Sequence, residues 1–171
     1  YGAYIANSMA IIPKAVTING VNAFNANSME GLHIESKGAV ALSNITANGN
    51  GLSGAQKGVS IVTQSSVNLL GTNMVNDNTE DGLYVTTTGA ITASNLTANG
   101  NDLRGAWLHT NTKGSSIALT GVNTFTGNGF NGLQITSDGA VVLNNITANS
   151  NANNGMGVNI NNAFNVLGKP V

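Results

Sequence analysis

The side chains best suited to act as acid, base or metal ligand are seven carboxylates, Glu30, Glu35, Asp77, Glu80, Asp81, Asp102 and Asp138, and two imidazoles, His33 and His109. Two carboxylates at a set separation cleave a glycosidic bond, and an acid cluster holding calcium beside a basic residue is the other arrangement such residues support. The spacing favours neither. The acids are spread along the chain, and Glu30, Asp81 and Glu80 fall near Lys57 and Arg104. Those cations are expected to hold the carboxyls low, which suits neither a general acid nor a base. The histidines sit in different copies of a repeat with no third ligand recurring beside them, so they read as solvated surface residues rather than a metal site. Cysteine is absent, which removes disulfides and thiolate sites. "GNGFNG" at 127–132 is a turn rather than a phosphate cradle, and no nucleotide, nucleophile-elbow or EF-hand motif occurs. The expectation is no enzyme, no metal and no cofactor.

What positions these side chains is a repeat. "GVNAFNANSMEGLHIESKGAVALSNITANGN" from Gly20, "GTNMVNDNTEDGLYVTTTGAITASNLTANGN" from Gly71 and "GVNTFTGNGFNGLQITSDGAVVLNNITANSN" from Gly121 align almost without gaps. They define double units at 20–70, 71–120 and 121–167, each of two halves of about 25 residues, with 1–19 as a partial first unit. Each half holds three short apolar segments with the alternation of a strand. The first begins at Phe24, Ile45, Val75, Leu96, Phe125 and Ile146. The second is the pair Leu32 and Ile34, then Val59 and Ile61, Leu83 and Val85, Ala106 and Leu108, Leu133 and Ile135, and Met156 and Val158. The third runs from Val40 and Leu42 through Val67 and Leu69, Ile91 and Ala93, Ile117 and Leu119, and Val141 and Leu143, to Phe164 and Val166. Three strands and three turns with no helical period must close a coil whose equivalent strands pair above and below. The fold expected is all-β, a right-handed parallel β-helix of six to seven rungs forming a single domain. The unit begins mid-rung at Tyr1 and shows no capping helix, so a longer repetitive parent protein or end-to-end stacking is expected.

Two asparagine ladders are expected at the turns: Asn22, Asn44, Asn73, Asn95, Asn123 and Asn145, and Asn27, Asn50, Asn78, Asn101, Asn128 and Asn151. The glycines opening the second strand, 31, 58, 82, 105, 132 and 155, fit the same turn through a positive φ. Asn44, Asn95 and Asn145 also satisfy the glycosylation sequon, but a ladder role accounts for them without a glycan. Before the glycines run Glu30, Lys57, Asp81, Arg104, Asn131 and Asn154, an ion ladder expected on the surface. On the outward face of the second strand, successive rungs present His33, Ser60, Tyr84, Trp107 and Gln134, flanked by Glu35, Thr86 and His109. Aromatic rings with polar neighbours suit either a stacking sugar or a lateral packing contact.

Of 171 residues, 29 are Asn and 22 Gly, 41% are hydrophobic and only 8% charged, with a net charge of -1. No basic cluster exists to hold nucleic acid or an anionic membrane, and no 18-residue apolar run exists to cross one. "SNITANGNGLSGA", "SNLTANGNDLRGAWL" and "GVNTFTGNGFNGLQITSDGAVVL" resemble the right-handed β-helix repeats of large bacterial cell-surface and secreted proteins, over nearly the whole chain. The resemblance implies extracellular display with an adhesive or fibre-building role, and it transfers no catalytic residue. The functional expectation is a structural, adhesive segment whose partners are copies of itself, neighbouring repeats or a polysaccharide. A carbohydrate-binding module and a non-canonical polysaccharide lyase or hydrolase are the alternatives.

Overall fold

The computed structural model describes residues 1–152 and 155–161. It is a parallel β-solenoid of three sheets, with no helix among the described residues. Sheet A has seven strands, Ala3–Ala6, Leu32–Ser36, Val59–Thr63, Leu83–Thr87, Ala106–Thr110, Leu133–Thr136 and Val158–Asn161. Sheet B has six, Val16–Ile18, Val40–Ser43, Val67–Leu70, Ile91–Ser94, Ile117–Thr120 and Val141–Leu143. Sheet C has six two-residue strands, Asn22–Ala23, Ile45–Thr46, Asn73–Met74, Leu96–Thr97, Asn123–Thr124 and Ile146–Thr147. Every pairing is parallel and joins equivalent segments of successive rungs. The alternating apolar residues of sheets A and B form inward columns, and Leu32, Ile34, Val59, Ile61, Leu83, Val85, Leu108 and Ile117 are fully buried. At about 1.5–3 kcal/mol per side chain, these columns are the main apolar contribution to stability.

Three expectations are corrected at the corners, and a fourth finding is new. The asparagines at 22, 44, 73, 95, 123 and 145 are not one ladder. Asn22, Asn73 and Asn123 begin sheet C strands opposite Ile45, Leu96 and Ile146, so in these rungs the segment starts two residues before Phe24, Val75 and Phe125. Asn73 and Asn123 are fully buried. The Asn73 amide donates to the Leu70 carbonyl at 3.3 Å and the Ser94 carbonyl at 3.1 Å, while its Oδ1 accepts the Ile45 N–H at 3.2 Å. Asn44, Asn95 and Asn145 instead turn the corner at φ of 49°, 45° and 46°, each donating to the carbonyl of Gly20, Gly71 or Gly121 one rung below. The two corner designs alternate, so paired sheet C residues lie 23, 28, 23, 27 and 23 positions apart.

The second correction concerns the glycines that open the sheet A strands: 31, 58, 82, 105 and 132 do not have positive φ. They are glycine because there is no room for Cβ. At Gly82 it would lie 2.5 Å from the Val75 carbonyl oxygen and 2.7 Å from both the Asn101 amide and the Gly105 carbonyl oxygen. The third correction falls in the last rung, where Leu133 and Ile135 pair with Val158 and Ile160 rather than Met156 and Val158. The row glycine there is Gly157, because the preceding turn is two residues longer. The fourth finding concerns a column that the sequence pattern did not single out. Asn25, Asn48, Asn76 and Asn99 each accept the backbone N–H of the following rung at 2.7–2.9 Å. The third-strand positions Phe164 and Val166, and Asn154 of the ion row, lie outside the described residues.

The ladder from Asn27 to Asn151 is continuous. Each side-chain amide donates to the Oδ1 of the next rung, Asn27 to Asn50 at 2.9 Å and onward to Asn78, Asn101, Asn128 and Asn151 at 3.0 Å. The same oxygens accept the backbone N–H of the rung before. Asn78→Ala strips the Asn50 N–H and amide of their acceptor and leaves the Ala47 carbonyl without a side-chain donor. At about 1–3 kcal/mol per unsatisfied buried group, urea denaturation is expected to show a loss of about 3 kcal/mol or more. Asn48→Ala, which removes a single acceptor at a half-buried turn, is expected to cost about 1 kcal/mol. Equal losses would mean that the inner ladder is not the stronger of the two.

Candidate functional site

Sheet A register places Tyr4, His33, Ser60, Tyr84, Trp107, Gln134 and Asn159 in one outward column. Glu35, Val62, Thr86, His109 and Thr136 form the next. The aromatic and polar residues expected to share a face therefore do share it, and Tyr4 joins them. The Tyr84 and Trp107 rings meet edge to face with centroids 5.1 Å apart, and the Trp107 and His109 rings are parallel at 6.4 Å. His33 stacks on Tyr4 at 5.0 Å. Ser60, between His33 and Tyr84, is buried.

Along the edge of this face runs the charged row. Backbone hydrogen bonds from each opening glycine set its members in register as Glu30, Lys57, Asp81, Arg104, Asn131 and Met156. Lys57 Nζ lies 2.9 Å from Glu80 and 3.9 Å from Glu30, and 5.4 Å above the Tyr84 ring. Arg104 Nε donates to Asp81 Oδ1 at 2.9 Å, and the guanidinium lies 4.2 Å over the Trp107 ring. Gln134 Oε1 accepts from Arg104 at 3.4 Å and from Asn131 at 3.0 Å. Each cation is thus held between a carboxylate and an aromatic face, an arrangement in which ion pairing and cation–π attraction act together.

The row is not the exposed surface ladder the sequence implied. Glu30 and Asp81 are buried, Asp81 completely. Burial pushes the Asp81 carboxyl above its ordinary value, and the opposing hydrogen bond and charge of Arg104 do not offset it. The expectation that a nearby cation would hold this carboxyl low is therefore corrected: desolvation is the largest effect, and the negative charge of Glu80 adds to it. Asp81 Oδ2 is buried without one, as are Thr86 Oγ1 and Trp107 Nε1 on the same face.

Nor is His33 a free, solvated imidazole. His33 Nδ1 is hydrogen-bonded to Glu30, and Nε2 lies 3.3 Å from Glu35. Partial burial lowers the pKa of His109. Among the described residues, no three His or acidic side chains converge on a metal position, and no helix is long and apolar enough to cross a membrane.

A family model described as "Right handed beta helix region" matches residues 1–151. The chain belongs to that family. No curated protein and no solved structure matches it. Membership in the right-handed β-helix family establishes the coil and its hand, consistent with the strong preference of parallel crossovers, and leaves the chemistry to be argued from this face.

Because the folded Asp81 carboxyl titrates above the unfolded one, the native state binds more protons between the two values, and this residue's contribution to stability is lost as pH rises through that window. Asp81→Asn keeps an oxygen for the Arg104 N–H groups and removes the titration. Thermal unfolding across the acid range is expected to show a flatter pH dependence just above the ordinary carboxylate range in the variant. An unchanged profile would contradict the assignment to Asp81.

Proposed function

We propose that the chain is a rigid structural segment of an extracellular or cell-surface protein, and that the outer face of sheet A is the surface through which it adheres to polysaccharide. The observation that carries this reading is the row of partly exposed aromatic rings, with Tyr84 and Trp107 at its centre, set among side chains rich in hydrogen-bonding groups. Rings of this kind present an apolar body to a sugar's C–H face and leave polar neighbours for its hydroxyls. A coil built without cysteine and held by rung-to-rung hydrogen bonds between side-chain amides suits a rod whose face keeps its shape. A non-catalytic role is proposed because Glu30, Glu80 and Asp81 are engaged with Lys57 and Arg104, which suits them poorly to serve as the free carboxylate pair of a glycosidase.

Trp107 points outward, so Trp107→Ala leaves the inward columns intact. On a glycan array the protein is expected to retain a defined set of ligands, and the variant to bind them about tenfold more weakly or worse. Unchanged binding by a folded variant would end the reading.

Lateral self-association is the second reading, favoured by the outer face of sheet B. Its outward column, Thr17, Ala41, Asn68, Thr92, Ala118 and Val142, is small-sided, with Leu70 and Val142 about half exposed. Sedimentation velocity is expected to show reversible association abolished by Leu70→Asp with Val142→Asp. Identical monomeric behaviour of both proteins would exclude it.

A further inference from the structure

Resting on the polysaccharide reading, we infer that the sheet A face selects a glycan bearing protonated amino groups, an amino-sugar polymer, over a uronate or a neutral one. The charge balance of the face points this way. Glu30, Glu80 and Asp81 pair with Lys57 and Arg104, and Glu35 beside His33 adds a fourth acid, so the face and the row beneath it hold four acidic side chains to two permanent cations.

The cations are also occupied. Lys57 is shared between Glu80 and Glu30, and Arg104 spends Nε on Asp81, reaches Gln134 with a second nitrogen and sits over the Trp107 ring. A uronate arriving here finds no free guanidinium fork for bidentate pairing, and it meets the excess of carboxylates instead. An ammonium group finds the opposite. Glu35 has no Lys or Arg partner, only His33 at 3.3 Å and Ser8 at 3.4 Å, and its side chain is 41% exposed. Glu80, engaged on one side by Lys57, keeps a quarter of its side chain in solvent.

An independent observation agrees with the charge count. Asp81 is fully buried within this row and its Oδ2 has no donor, so just beneath the face lies a carboxyl oxygen that no group of the described residues satisfies. The rings act in the same direction, because aromatic faces attract cations. The protein already shows the motif with its own side chains: Lys57 over Tyr84 and Arg104 over Trp107, each cation held by a carboxylate. A ligand ammonium beside Glu35 or Glu80, with its sugar ring on the adjacent aromatic, repeats that arrangement in trans.

The test uses the whole chain and three oligomers of equal length: fully deacetylated chitosan, its N-acetylated counterpart and oligogalacturonate, titrated calorimetrically in mildly acidic, low-salt buffer. The deacetylated oligomer is expected to bind about tenfold tighter than the N-acetylated one, the worth of one charge-assisted hydrogen bond, to weaken with added salt, and to leave oligogalacturonate unbound. Glu35→Gln combined with Glu80→Gln is expected to erase the preference, while Asp138→Asn, in the turn beyond sheet A, leaves it in place. Equal or tighter binding of the N-acetylated or uronate oligomer overturns the inference and leaves the polysaccharide reading standing. Loss of the preference in Asp138→Asn as well overturns it as attraction to overall charge. No binding to any oligomer, together with an empty glycan array, brings down the reading and the inference with it.

Discussion

A coil of short strands meets its hardest problem at the corners, where the backbone leaves the strand ladder and its polar groups still need partners. The column from Asn27 to Asn151 solves it between sheets C and A. Each Oδ1 takes both the backbone N–H and the side-chain amide of the rung before, and some amides also reach a carbonyl one rung back, as Asn78 does to Ala47 and Asn128 to Ala98. Such a chain of amides closes at only one axial spacing and one register. It also dictates the row of glycines beside it. A Cβ on Gly31, Gly58, Gly82 or Gly105 would sit 2.6–2.8 Å from the ladder amide of the following rung, so asparagine and glycine at these two positions depend on each other.

The opposite corner is built in two ways, and this explains why the sequence repeats over two rungs rather than one. A rung that turns on a left-handed asparagine, such as Asn44 or Asn95, is followed by one that turns on a glycine and buries an asparagine, such as Gly71 with Asn73. The core adjusts in step. Rungs with an inward asparagine carry Phe24, Val75 or Phe125 two residues later, and rungs with an inward Ile45, Leu96 or Ile146 carry Ala47, Ala98 or Ala148. Large beside polar alternates with small beside aliphatic, so the column fills at near-constant volume, as close packing requires.

Much of this was legible in the sequence because a period of two is a strong signal and register follows from it. The inward pairs of sheets A and B, and the outward column from His33 to Gln134, needed nothing else. What was not legible follows from residue identity concealing conformation. Asn44 and Asn73 are the same residue type at similar offsets, yet one carries a positive φ and the other an interior hydrogen-bond set; only backbone geometry separates them. The outer column of Asn25, Asn48, Asn76 and Asn99 did leave a trace, an asparagine two places before each of Asn27, Asn50, Asn78 and Asn101 with Ala, Gly or Asp between. The burial of Glu30 and Asp81 left none, since charged residues are expected at the surface and the side chains that cover them lie on neighbouring rungs.

That burial bears on whether the face is more than scaffold. The charged row is one position per rung, and the same position holds Asn131 and Met156 further along the coil, so the fold has no need of a carboxylate or a cation there. Asp81 moreover opposes folding at neutral pH to the extent that desolvation raises its pKa. A costly charge at a place where the scaffold accepts uncharged residues departs from local consistency, and such departures are expected where a surface serves function rather than stability. The inner asparagine ladder makes the departure sustainable, because it holds register through the same rungs and keeps Asp81 opposite Arg104, and Arg104 above Trp107, without relying on the ion pair to do so.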